Sequence, residues 1–162
     1  MPTFELAPVG ADDFLTSTWL FPFSVDLNVD AATFWAELNG PAALSWCQLI
    51  RGVEWTSAPP RNVVGTTRTA TLAMTGTALQ ERYFQWEESS DRYVNSFWVV
   101  ASNTPGFRRF AERYEVVPTE VGCRFTWTFL VEPVLPSVSR LAKPLFNVVL
   151  KRFVTDTKRH FG

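Results

Sequence analysis

From Trp19 to Val29 every second residue is apolar: Trp19, Phe21, Phe23, Val25, Leu27 and Val29 alternate with Leu20, Pro22, Ser24, Asp26 and Asn28. A period of two predicts a strand with one buried face. Pro22 lacks an N–H for a ladder, so this strand belongs at a sheet edge or carries a bulge. The period changes at Asp30, which is placed to cap a short helix over 31–38 with Phe34 and Leu38 on its apolar side. Asn39-Gly40 ends that helix and Pro41 blocks its continuation. A second short helix is expected over 41–49, carrying Leu44 and Trp46. Strand patterns then recur over 53–56, 65–74, 79–87, 92–101, 107–117 and 123–132, separated by turn residues such as Thr75-Gly76-Thr77 and Asn103-Thr104-Pro105-Gly106. Every link is of hairpin length, which predicts antiparallel pairing. The chain closes on a helical stretch over 136–160. Its apolar stripe is Val138, Leu141, Ala142, Leu145, Phe146, Val148, Val149 and Phe153, with Arg140, Asn147, Lys151 and Lys158 opposite. Pro144 either kinks this helix or opens a second one. A stripe of that breadth needs burial, and a twisted sheet offers a concave face for it. The expected architecture is α+β: a curved antiparallel sheet of six to seven strands around a long C-terminal helix, with two short helices after the first strand. Residues 1–162 read as one domain, with 1–18 an irregular lead-in in which Ala11 to Leu15 can form a short turn of helix.

Composition narrows the function classes. Fifteen basic and sixteen acidic side chains give a net charge near zero, which argues against general nucleic-acid binding. Seven Trp and fourteen Phe call for a packed core or an apolar cavity. Cys47 and Cys123 match no metal or redox spacing and are expected as reduced thiols in a cytoplasmic protein. No signal peptide is read at the start, and no apolar run approaches the ~18 residues of a membrane span. His160 is the only histidine, which disfavours a histidine base, a triad or a multi-histidine metal site. No metal and no cofactor is expected.

Candidate chemistry centres on Arg68. It shares a strand face with Ala70, Leu72 and Met74, and a guanidinium facing an apolar interior needs an anionic partner. Glu81, at the matching end of the next strand, supplies one. The pair either anchors the polar end of a ligand or forms a structural ion pair. Two registers stay open. In 81–86, Glu81, Tyr83 and Gln85 oppose Arg82, Phe84 and Trp86, and only a bulge near Gln85-Trp86 brings both apolar sets inside. In 110–115, Phe110, Glu112 and Tyr114 oppose Ala111, Arg113 and Glu115. Trp127 reads as core rather than cavity wall, and Arg152 and Asp156 as a local i,i+4 ion pair.

The order of elements, with the local sequences VDLNVDAATFWAEL (Val25 to Leu38), Trp46, VGTTR (Val64 to Arg68), ERYFQWEESSDRY (Glu81 to Tyr93) and Trp127, resembles the SRPBCC superfamily of START-like and birch-pollen-allergen-like helix-grip proteins, and its polyketide cyclase/dehydrase branch in particular. The resemblance runs from about Trp19 to the end of the chain. It implies a helix-grip fold and a cavity between sheet and helix that takes sterols, lipids, hormones or polyketides. It also turns Glu81, Phe97 and Val99 inward. Trp98 then faces out, which points to a dimer patch. The expected function is binding of a hydrophobic small molecule, as carrier or sensor. The alternatives are a cyclase or dehydratase acting in the same cavity, and an interaction module with a closed cavity. The expected ligand-binding residues are Trp46, Arg68, Leu72, Glu81 and Tyr83, with Phe97, Val99, Tyr114, Leu145 and Val149. The turns at 75–77 and 103–106 are expected to flank the entrance as lids.

Overall fold

The computed structural model describes residues 2–162, apart from the side chains of Val138 and Ser139, so the Val138 position of the helical stripe lies outside the described residues. In chain order the elements are β1 (Phe4–Glu5), α1 (Asp13–Thr16), β2 (Leu20–Leu27), α2 (Ala31–Leu38), β3 (Ile50–Trp55), β4 (Thr67–Leu72), β5 (Ala78–Glu88), β6 (Tyr93–Ser102), β7 (Phe107–Pro118), β8 (Cys123–Pro133), α3 (Pro136–Ser139) and α4 (Lys143–Phe161). The sheet runs β2-β8-β7-β6-β5-β4-β3, antiparallel throughout, with β1 paired to the end of β6. Pro22 sits on β2, an edge strand whose register with β8 is unbroken, so it removes no ladder bond that the sheet needs. The concave face carries the main core and the convex face is largely polar, as alternation requires of a sheet with one buried side.

Asp30 caps α2 through its side chain, which accepts from the Thr33 backbone N–H at 3.0 Å. The expected second helix is instead a run of turns over 41–46. Successive i,i+3 backbone bonds reach Ala43, Ser45 and Cys47, and Leu44 takes a positive φ of 61°, which a continuous helix cannot hold. Pro144 opens α4 instead of kinking it, as a residue without an N–H does in a first turn. Gly122, in the β7–β8 turn, lies directly against the backbone carbonyl of Leu27, and no side chain fits there.

The lead-in is mostly irregular but contributes two short elements, one of them close to the turn of helix expected at 11–15. β1 extends the sheet at β6, and α1 places Phe14 on the convex face beside Val9, Ala111 and Leu130, with Leu20, Phe84 and Trp98 packed around them. Trp98 does face outward, but the chain's own first residues cover it. The observation that pointed to a dimer patch there therefore falls away.

The helix is gripped chiefly at its C-terminal end. At its C-terminal half, Leu150, Phe153 and Val154 are buried, Trp46 Nε1 donates to Thr157 Oγ1 at 3.0 Å, and the Gln48 N–H donates to Asp156 Oδ2 at 2.9 Å. Lys158 Nζ donates to the Asp26 carbonyl at 2.6 Å, and Phe161 packs on Phe34. Asp156 is thus turned inward and Arg152 donates to Gln48 Oε1, so the expected Arg152–Asp156 pair is replaced by contacts to the 44–48 turns. The N-terminal half meets the sheet only at its β2 edge, where Lys143 Nζ donates to the Thr18 carbonyl at 2.6 Å and Phe146 packs on Phe21, and it stands away from the other strands: Leu141, Leu145, Val148 and Val149, all expected in the buried stripe, are exposed.

Candidate functional site

Where α4 stands off, a cavity of about 330 Å³ opens between it and the sheet. Its walls come from the turn-proximal halves of the strands. On β4 they are Ala70 and Leu72, on β5 Leu79, on β7 Phe107 and Phe110, and on β8 Phe129 and Val131, with Phe146, Leu150 and Phe153 from α4 above them. Both Phe107 and Phe110 reach this side because a register shift at Arg108 inserts an extra residue into β7. Further along the same strands, Arg68, Glu81, Glu112 and Trp127 form the floor. Beyond them Tyr83, Phe97, Tyr114 and Phe125 are solid core.

Strand register assembles the floor. Arg68 stands directly opposite Glu81, Phe97 opposite Glu112, and Tyr114 opposite Trp127. Arg68 is 1% exposed. Its Nε donates to Glu81 Oε2 at 2.5 Å and its Nη2 to Tyr114 Oη at 3.0 Å. The guanidinium lies 4.5 Å above the Phe97 ring and 5.4 Å from those of Trp55 and Tyr83, an aromatic cage for a cation that cannot shed its charge. Trp127 Nε1 donates to Glu112 Oε2 at 2.8 Å, and Tyr114 Oη donates to the same oxygen at 3.4 Å. No hydrogen bond among the described residues engages Glu112 Oε1, and the buried Arg68 Nη1 and Tyr83 Oη have no partner.

The floor holds two carboxyls against one guanidinium, and this decides its protonation. Burial, with Glu81 beside it, pushes Glu112 up to about 8, so at neutral pH it is mostly a neutral carboxylic acid. Both hydrogen bonds fall on Oε2, which leaves Oε1 to carry the proton. Burial also raises Glu81, while the hydrogen-bonded Arg68 pulls it back. Burial opposes the charge on Arg68, and the Glu81 carboxylate more than offsets it. Burial likewise raises the Tyr83 and Tyr114 hydroxyls. Cys47 and Cys123 are free and buried, pushed up to about 12 and about 11 chiefly by desolvation, so neither is a ready nucleophile. His160 stacks on Trp46 at the gripped end of α4, away from the cavity.

Five of the expected site residues line this space: Arg68, Leu72, Glu81, Leu145 and Val149. Tyr83, Phe97 and Tyr114 lie beneath it, in contact with Arg68. Val99 is buried in the core without reaching the cavity, and Trp46 clamps the far end of α4. Trp127, expected as core, is both: buried and part of the cavity floor. Glu112 was not among the expected site residues. Its signal was the alternation Phe110, Glu112, Tyr114, which places a carboxylate between two inward aromatics. Met74, expected on the Arg68 face, lies past the end of β4 and is 86% exposed at the mouth. The two turns expected as lids are tied to each other: Thr77 Oγ1 and Thr104 Oγ1 share a hydrogen bond, and the Ala78 N–H donates to Asn103 Oδ1.

Residues 18–161 match the family model described as polyketide cyclase / dehydrase and lipid transport. The chain belongs to that family. An uncharacterized protein of Mycobacterium tuberculosis is 31% identical over 156 residues, covering 94% of this chain and 90% of its own. Among solved structures, a START superfamily protein from Mycobacterium smegmatis superposes with a TM-score of 0.71 at 14% identity, over 88% of this chain and 96% of the other. Ginseng major latex-like protein 151 from Panax ginseng gives 0.65 at 17% identity, over 88% and 96%. These likenesses establish the helix-grip fold for this family member. No helix among the described residues is long and apolar enough to cross a membrane.

Proposed function

We propose that the protein binds a hydrophobic small molecule of lipid, polyketide or aromatic type in this cavity, and carries or senses it without turnover. The observation behind this reading is the void itself. About 330 Å³ of space has walls that are almost wholly carbon, and its charged floor is already paired internally. Such a space is of the size that ligand pockets occupy. Arg68 Nη1 and Glu112 Oε1 are the polar positions left for a ligand, so its polar part is one compact group, such as a hydroxyl, carbonyl or carboxyl, at the end that enters first. The two free, buried thiols suit a reducing compartment, and we place the protein in the cytoplasm on that ground.

Native mass spectrometry of protein purified without detergent should show a co-purifying small molecule. A brominated fatty acid should quench Trp127, which borders the cavity. Absence of both signals would refute the reading. A second reading, cyclisation or dehydration of a bound polyketide-like substrate, rests on Glu112: a protonated carboxyl at a cavity floor is what a general acid requires. Incubation of the native protein with the co-purified molecule, followed by mass spectrometry, separates the two, since a carrier returns the molecule unchanged.

A further inference from the structure

The cavity opens at one end of the sheet, and that end is built unlike the rest of the molecule. Its rim consists of residues 47–52, 72–79, 102–107 and 134–152. Strand register gathers these together: Ile50 pairs with Leu72, Leu79 with Ser102, and Phe107 with Pro133. These stretches contain five of the chain's 15 basic residues (Arg51, Arg140, Lys143, Lys151 and Arg152) and none of its 16 acidic ones; the carboxylates that flank them are Glu5, opposite Ala101, and Glu132, which is paired with Arg108 and Arg109. The remainder of the protein is therefore strongly acidic. The same rim holds Met74, Val134, Leu135, Leu141, Leu145 and Val148, all exposed. On α4 and the turn before it, Leu141, Leu145, Val148 and Val149 follow helical spacing and form one ridge, continued by Arg152 and flanked by Lys151.

We propose that this rim docks onto an anionic lipid bilayer, with the Leu141–Val149 ridge and Met74 entering the headgroup layer and Arg51, Arg140, Lys151 and Arg152 resting on the phosphates, while Lys143 stays on the Thr18 carbonyl and the Trp19 ring. The charge sign selects an anionic surface. The shape selects a bilayer over a folded protein: Met74 and Leu141 protrude from separate segments at 86% and 88% exposure, where a protein partner needs a continuous complementary face. The opening lies within the ridge, since Leu145 and Val149 both border the cavity. A docked protein therefore joins its apolar cavity to the acyl layer without intervening water. The gripped C-terminal half of α4 anchors the ridge, and the stand-off half presents it.

The test is co-sedimentation of the full chain with vesicles of phosphatidylcholine alone, or of an equal mixture with phosphatidylglycerol. Binding is expected only to the mixed vesicles. It should fall as salt shortens the screening length from about 10 Å at 0.1 M to about 3 Å at 1 M. Arg140→Gln with Lys151→Gln should weaken it roughly 25-fold, about fivefold per cation. Leu141→Glu with Val148→Glu should abolish it while melting like wild type, because both side chains are already in water. Neither Leu141 nor Val148 borders the cavity, so this variant still takes up a brominated fatty acid if the cavity is a binding site. Docking and ligand binding can thus fail separately. Val121→Ser, at the opposite end of the sheet, should leave docking intact. Equal behaviour with both vesicle types, or full binding by Leu141→Glu/Val148→Glu, would overturn the proposal. So would a dimer in solution that this variant dissociates while vesicles go unbound, since the ridge would then belong to a second copy.

Discussion

Replacing Glu112 by Gln should change how stability depends on pH more than stability itself. Glutamine keeps the shape, and its amide oxygen still accepts from Trp127 and Tyr114. What disappears is a proton that moves. In the folded protein Glu112 titrates at about 8, against an ordinary 4.5 for the unfolded chain. Between those values the folded state holds a proton that the unfolded chain has released, so unfolding sheds a proton and stability falls as pH rises. The loss begins near 4.5, reaches a slope of about 1.4 kcal/mol per pH unit, and ends above about 8. From pH ~5.5 to ~7.5 the wild type should lose roughly 2–3 kcal/mol through this group, or roughly 5–10 °C in Tm for a chain of this length. The variant loses none of it, and every other titrating group is common to both proteins. Urea unfolding followed by tryptophan fluorescence at the two pH values gives the comparison. Parallel slopes for wild type and Glu112→Gln would show that Glu112 is ionised throughout, and the charge count at the cavity floor would be wrong.

Two other substitutions probe the same region. Arg68→Met leaves the Glu81 carboxyl buried without its cation and should cost ~3–5 kcal/mol in urea unfolding; adding Glu81→Gln should restore most of it. A fully stable Arg68→Met would mean that the pair contributes nothing to the fold. Val149→Trp, at the mouth and 43% exposed, should leave melting nearly unchanged while blocking uptake of a brominated fatty acid; unhindered quenching of Trp127 would place the entrance elsewhere.

The succession of elements along the chain, the antiparallel hairpins, the Asp30 cap, the placing of Pro22 at an edge or a bulge, and the C-terminal helix were all legible in the sequence; the pairing of β2 with β8 was not. Each rests on local physics: a side-chain period of two or 3.6, a missing N–H, or a side chain that reaches its own helix terminus. Arg68 was legible for a related reason, since a guanidinium among Ala70 and Leu72 needs a partner wherever the chain goes. Tertiary structure decided the rest. The register shift between Tyr83 and Gln85 leaves Phe84 on the convex face under Phe14 and brings both Tyr83 and Trp86 inward; its position depends on what covers each face, including a lead-in almost seventy residues earlier. Glu112 became the neutral member of the floor only because β7 places it beside a pair formed by β4 and β5, and a proton's free energy depends on distances between strands that local sequence does not encode. The stripe of α4 showed that an apolar face exists. Whether that face is covered depends on where the helix is clamped. Clamping at Trp46, Gln48 and Asp26 buries its second half and leaves Leu145 and Val149 over an open cavity, with Leu141 and Val148 exposed beside them.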